Sequence, residues 1–326
     1  MADTALLKLL VKAASQSHLD LEFPISSLLA VRLVERPGDW MSRDELAALK
    51  AQLRSIADTT LDGQNLDYGV LGDDPKALRN SIVTMVVRRK DRVPIAFNAL
   101  ALIPVDLGHR VEDVLHLGLV MVDPNARQQG LSWVLYGLTC LLTFVRRGCH
   151  PVWVSNVTQV PAVIGLVANG LSTPFPAPQM GKDARRSLLH LLLARRIMAH
   201  HRHVFGVGAD AEFNEDSFVI SNAYTGGSDH LKKTFDATAK HRDDVFNTYC
   251  ADTLDYARGD DILQLGQIDF ASAFGFMTKD VPPKSSFKLM VAMATVGLQQ
   301  LVIPLVQWAD TKRDFGILKA RLIAND

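Results

Sequence analysis

The sequence carries no excess charge of either sign: 35 lysines and arginines balance 35 aspartates and glutamates over 326 residues. Without net charge there is no electrostatic reason to expect a nucleic-acid partner. Cysteine is scarce too, and Cys140, Cys149 and Cys250 are widely spaced and odd in number. That pattern excludes a disulfide framework. Cys140 and Cys149, in or at the end of one apolar helix, read as buried thiols. No Cys-x-x-Cys and no His/Cys pair has zinc-site spacing. His200, His201 and His203 diverge around a helix and read as a solvated basic end. Asp243-Asp244 and Asp260-Asp261 match no calcium loop and read as helix-end and solvated-face charges. The expectation is a protein without a metal. Lys8 and Lys12 interrupt the apolar N-terminal stretch, which makes no convincing secretory signal. Leu6, Leu7, Leu10 and Val11 read instead as one face of a short amphipathic helix, and the protein as cytoplasmic.

What the chain does have is apolar residues, 48% of the total, ample for one or two cores. Residues 30–35 read as a strand stopped by Pro37. Ser42 precedes Glu45 with capping-box spacing and opens a helix to about Ala57. Residues 81–89 are β-branched, Asp91-Arg92 makes a turn, and 93–105 returns as the second arm of a hairpin. A strand at 114–122, a helix at about 130–147, a strand at 151–155 and a helix near 159–171 follow. This order predicts the α/β class, a mixed sheet with helices packed on it.

The most informative run is 122–132, Val-Asp-Pro-Asn-Ala-Arg-Gln-Gln-Gly-Leu-Ser, a short loop joining an apolar strand to an apolar helix. Unpaired backbone N–H groups at a helix N-terminus, together with the helix dipole, favour an anion there. Gly130 allows a close backbone approach that a Cβ would obstruct. Arg127, Gly130 and Ser132 resemble the Arg/Gln-x-x-Gly-x-Gly/Ala loop of the GNAT acyltransferase superfamily. Downstream, Pro161, Ala162 and Gly170 stand at the offsets of that family's next helix. The resemblance runs from near Leu28 to Leu171.

Several expectations follow from the resemblance. It implies a GNAT-like sheet, splayed where the cofactor enters, and acyl-coenzyme A as co-substrate. Its pyrophosphate would sit on the loop, with Val120, Val122, Arg127, Gln128, Gln129, Gly130, Leu131 and Ser132 as the binding residues. The reaction is attack of an amine on a thioester, which needs a base, an oxyanion donor and an acid for the thiolate. A backbone N–H near 120–122 is the implied oxyanion donor. The family's usual acid is a Tyr four residues before the second motif's glycine, where this chain has Leu166. Tyr136 is the substitute, although a Tyr there also suits a core. His116 shares the face of Gly118, Val120 and Val122 by strict alternation and is the candidate base, beside a structural reading. Asn156 either orients the nucleophile or caps the next helix.

Beyond the prolines at 174, 176 and 178, which mark a linker or irregular crossover, the chain reads as mostly helical and resembles no family. The division expected is 1–178, binding acyl-coenzyme A, and 179–326, facing a membrane or partner. Residues 185–203 form a basic amphipathic helix, either docked on the domain or in contact with anionic lipid or an acidic carrier protein. Residues 289–309 hold no charge and read as a buried helix pair or a membrane-embedded or interfacial segment. Three functions remain. The first is an N-acyltransferase for the amine of a small molecule or amino acid. The second is a long-chain acyltransferase at a membrane surface using a carrier-protein or coenzyme-A thioester. The third is a non-catalytic module that binds acyl-coenzyme A or a partner.

Overall fold

The structure, a computed structural model, describes residues 18–61, 66, 69–72, 74, 76–108, 110–126, 129–131, 133–226 and 228–309, the last from 299 onward by backbone. The amphipathic helix expected around Leu6 to Val11, and the side chains of Arg127, Gln128 and Ser132, lie outside the described residues.

The strands are β1 (Asp20–Pro24), β2 (Leu29–Glu35), β3 (Ser81–Arg88), β4 (Pro94–Asp106), β5 (Val111–Val122), β6 (Val152–Thr158), β7 (Ser172–Phe175), β8 (Glu212–Phe213), β9 (Val219–Ser221) and β10 (Asp261–Ile268). They form one mixed sheet in the order β1-β2-β3-β4-β5-β6-β10-β9-β8, with β7 also on β10. The α/β class predicted from the sequence is therefore present. The first five strands make an antiparallel meander. At the turn between β3 and β4 Arg92 takes the left-handed region, and the Asp91 carboxylate accepts the Val93 N–H at 3.2 Å.

The helices are α1 (Arg43–Thr60), α2 (Thr139–Arg146), α3 (Pro161–Gly170), α4 (Leu188–His200), α5 (Asp244–Thr253), α6 (Phe270–Lys279) and α7 (Pro283–Ala309). The predicted capping box opens α1: Ser42 Oγ accepts the Glu45 N–H at 3.3 Å, and Glu45 accepts the Ser42 N–H at 2.8 Å. Helices α1 and α4 cover one face of the sheet. Helices α2, α3, α6 and α7 cover the other, α5 packing outside α3.

Several expectations change. The loop helix opens as a π-turn, Trp133–Leu138, before α2 begins. Asn98, buried on β4, donates to the Leu135 carbonyl; a side chain that takes a helix carbonyl is a recognised cause of such widening. Cys149 is exposed with φ 60°, because the chain turns after α2; Cys140 and Cys250 are buried. The proline-rich stretch is no linker, since Ser172–Phe175 pairs with β10. Position 178 does not interrupt the sheet, because β10 lies directly against β6. The uncharged 289–309 stretch belongs to one continuous helix, Pro283–Ala309, rather than a pair. Among the described residues, no helix is long and apolar enough to cross a membrane. Asp243 caps α5 through the Val245 N–H at 3.1 Å, but Asp260 and Asp261 are buried.

Candidate functional site at the separated strands

Among the described residues one strand pair is parallel, β5 with β6, and it is short: Leu115, His116 and Leu117 face Val154, Ser155 and Asn156. Beyond Leu117, β5 continues to Val122 with β4 as its partner, and its other edge has left β6. The cause lies in β5 itself. Ala99 pairs with Leu119 and Ala101 with His116, so Leu100 stands opposite both Leu117 and Gly118. This is a β-bulge, which interrupts the ladder and bends its strand. Gly118 is required there, because a Cβ would lie 2.4 Å from the Ala99 carbonyl oxygen.

The bulge also reverses the alternation of side chains. Leu115 and Leu117 pack on the α2 face; past the bulge that face is met by Val120 and Val122, while Leu119 and Met121 meet α1. The predicted common face of His116, Val120 and Val122 is therefore corrected: His116 points to the α4 side. There it is 2% exposed, its Nδ1 is 2.9 Å from Ser155 Oγ, and its ring stacks on Phe205 at 4.8 Å. Burial lowers its pKa to about 3, so the ring is neutral. The buried ring is held by Ser155 and Phe205, as a structural pin would be.

The other candidates are dispersed. Asn156 is 3% exposed and donates to Gln264 Oε1 at 3.3 Å. The residue nearest to capping α3 is instead Thr158, whose Oγ1 accepts the Val160 N–H at 3.2 Å. Tyr136 lies half-buried in the apolar cluster that Val120 and Val122 border, and burial raises its pKa. Leu166 is on the exposed side of α3. The structure thus places Val120, Val122 and Tyr136 on one face, away from His116.

The loop stands at the carboxyl end of β5. Asp123 starts it, accepting the Asn125 N–H at 2.8 Å on its carboxylate and the Ala126 N–H at 2.8 Å on its carbonyl. Ala126 and Leu131 are buried anchors, and between them Gln129 and Gly130 face outward. Gly130 has φ +65°, and a Cβ built on it would meet nothing within 4 Å. Its backbone conformation, rather than a neighbouring group, selects glycine. An exposed turn with left-handed backbone at a helix N-terminus can receive an anion.

Sequence reasoning missed the residues that border the other arm. Gln159, 1% exposed, follows the end of β6. Its Nε2 donates to the Leu231 carbonyl at 3.1 Å and to Tyr224 Oη at 2.5 Å; its Oε1 accepts the Lys233 N–H at 3.4 Å. Leu231 itself packs against the cluster containing Leu119 and Met121. Residues 228–233 therefore bridge the two separated strands. Tyr224 donates in turn to Asp261 Oδ1 at 2.9 Å. Gly118 inside a strand was a legible warning of the bulge, whereas nothing local marks Gln159 or Tyr224. No protein-family model matches the chain, and no curated protein matches it either.

Proposed function

We propose that the chain is a GNAT-type N-acyltransferase, moving an acyl group from acyl-coenzyme A to the amine of a small molecule or amino acid. The observation that carries this reading is the parallel β5–β6 pair parting at a bulge, with the Gly130 loop at the carboxyl end of β5. A strand edge without a neighbouring strand offers backbone N–H and C=O groups to an extended ligand. The pantetheine arm of coenzyme A is such a ligand, and its pyrophosphate would reach the loop. Among the edge residues, 118–122 are the source of an oxyanion donor, a role that needs no side chain. The decisive assay is amine-dependent release of free thiol, across acetyl to palmitoyl thioesters and a panel of amines and amino acids. Release that requires an added amine supports acyl transfer. Thioester binding with no release for any amine favours the binding module instead.

A second reading, a long-chain enzyme at a membrane surface, draws on α7. Phe287, Met290 and Leu298 lie on its outer side, 71%, 52% and 38% exposed, and the carrier thioester remains an alternative donor. The basic helix α4 does not extend that surface. It packs on the opposite face of the sheet, and Glu215 and Asp216 pair with Arg195 and Arg186. Activity confined to long chains would put this reading first.

A further inference from the structure

Three elements meet at the end of the sheet where β5 delivers the Gly130 loop. The β1–β2 turn, residues 25–28, and the β3–β4 turn, residues 89–93, both stand there, since Ala96 near the start of β4 pairs with Val122 at the end of β5. Arg89 joins the two turns. Its N–H donates to the Leu28 carbonyl at 2.8 Å, and its guanidinium donates to the Ser27 carbonyl at 3.0 Å. Helix α7 joins through its first turn, where Ser285 Oγ donates to the Ile25 carbonyl at 2.8 Å. The corner is therefore one hydrogen-bonded surface rather than three separate tips.

Large apolar side chains face solvent on this corner. Leu28 is 74% exposed and Phe287 71%, with the exposed Met290 one turn further along α7. On α7 these positions lie opposite Leu289, Ala292 and Val296, which bury the helix in the core. The charges beside them are of one sign once pairing is complete. Asp91 matches Arg88 at 3.1 Å, and Glu22 matches Arg92 at 2.5 Å. The Arg89 guanidinium is held by carbonyls, which leave its charge in place. Among the described residues, Lys90, Lys284 and Lys288 enter no ion pair. A single exposed leucine needs no explanation, but leucine, phenylalanine and methionine rimmed by unmatched cations have the composition of an interfacial anchor.

We propose that this corner docks the protein on the surface of an anionic bilayer. Leu28, Phe287 and Met290 enter the headgroup boundary, while Arg89, Lys90, Lys284 and Lys288 meet the lipid phosphates and carboxylates. The sign of the charge selects this occupant. A second copy docked face to face would bring the same cations against themselves. Residues 1–17 and 310–326 carry the wrong sign too, because lysines and arginines outnumber aspartates in each. A soluble acidic partner would match the cations but give the protruding Leu28 and Phe287 no apolar medium. Docking needs no acyl transfer and stands apart from the proposed reaction. It sets the end of the sheet that carries the Gly130 loop toward the bilayer.

The test floats the whole chain with vesicles of phosphatidylcholine, alone or mixed with phosphatidylserine. Binding should require phosphatidylserine and weaken as salt is raised, a result that needs no variant. Lys90→Gln and Lys284→Gln should each weaken it about fivefold. Phe287→Ser should weaken it about tenfold or more. Leu188→Ser is the control: Leu188 is as exposed as Phe287 but lies on α4, across the sheet, and its loss should change nothing. Flotation with neither vesicle overturns the proposal, as does equal flotation with both, or native binding in all three corner variants. Sedimentation that finds a dimer dissolved by Phe287→Ser gives the face to a second copy instead. Binding to polyglutamate as tight as to the vesicles, and indifferent to Phe287→Ser, gives it to an acidic protein. Either result overturns the bilayer as the partner.

Discussion

The two ends of the continuous segment formed by the Trp133–Leu138 π-turn and α2 differ in how they are held. At its C-terminal end Arg146 meets Glu35 at 2.9 Å with both side chains fully buried, and Glu35 also accepts the Leu19 N–H at 3.0 Å. The cation suits a helix C-terminus, and the pair joins α2 to β1 and β2 in compensated charge. At the other end the described loop residues buried as anchors are Ala126 and Leu131, Gly130 faces outward, and the strand feeding it has left its neighbour. Asp261, on β10 beyond β6, is a buried carboxyl whose nearby guanidinium belongs to Asp260. Compensated charge holds the fold, whereas open backbone can take a ligand and an uncompensated acid makes stability depend on pH.

The largest loss of stability should come at the pinned end. Arg146→Ala leaves Glu35 buried without its cation and should cost about 3–5 kcal/mol in denaturant unfolding. A cost below about 1 kcal/mol, the size of an exposed pair, would remove the contrast between the two ends.

At Asp261 the expected signature is pH dependence. The Asp261 carboxyl titrates near 3.8 when unfolded and near 8 when folded. Between those values the unfolded chain has lost a proton that the folded chain keeps, so stability falls as pH rises through this window. The slope approaches roughly 1.4 kcal/mol per pH unit for one group. Thermal melts of Asp261→Asn at pH 5 and pH 8 should show a smaller difference than the native protein. An equal difference would assign the slope to other groups.

The smallest effect should be on catalysis at His116. Its neutral, buried ring contacts Ser155 and Phe205, so His116→Asn should lower melting temperature while turnover changes only a few-fold. A drop of about 10² to 10⁴ without loss of stability would restore it as the base.

The same contrast explains what the sequence made legible. The meander is written locally: β-branched runs at 81–89, the Asp91-Arg92 turn and the Ser42/Glu45 box each act within a few residues of themselves. The exposed Gly130 turn was legible for the same reason. The face of His116 was not, because one added residue at Gly118 inverts every side chain after it. Gln159, Tyr224 and Asp261 were hidden because they meet only after β10 returns to β6 from more than a hundred positions away. Asp260 and Asp261 looked alike in sequence, but in the fold Asp260 takes Arg258 and the Asp255 N–H whereas Asp261 takes the Tyr224 hydroxyl.

The central claim is that the loop before the Trp133–Leu138 π-turn receives the phosphates of a coenzyme-A thioester. Gly130→Glu tests it most directly, because its Cβ meets no neighbour within 4 Å, yet the carboxylate would stand where the pyrophosphate must lie. The added side chain also has to bear the left-handed backbone, at a cost of about 1 kcal/mol. Calorimetry with acetyl- and palmitoyl-coenzyme A should show binding to the native protein and none to the folded variant. Equal affinity in the two proteins would contradict the account.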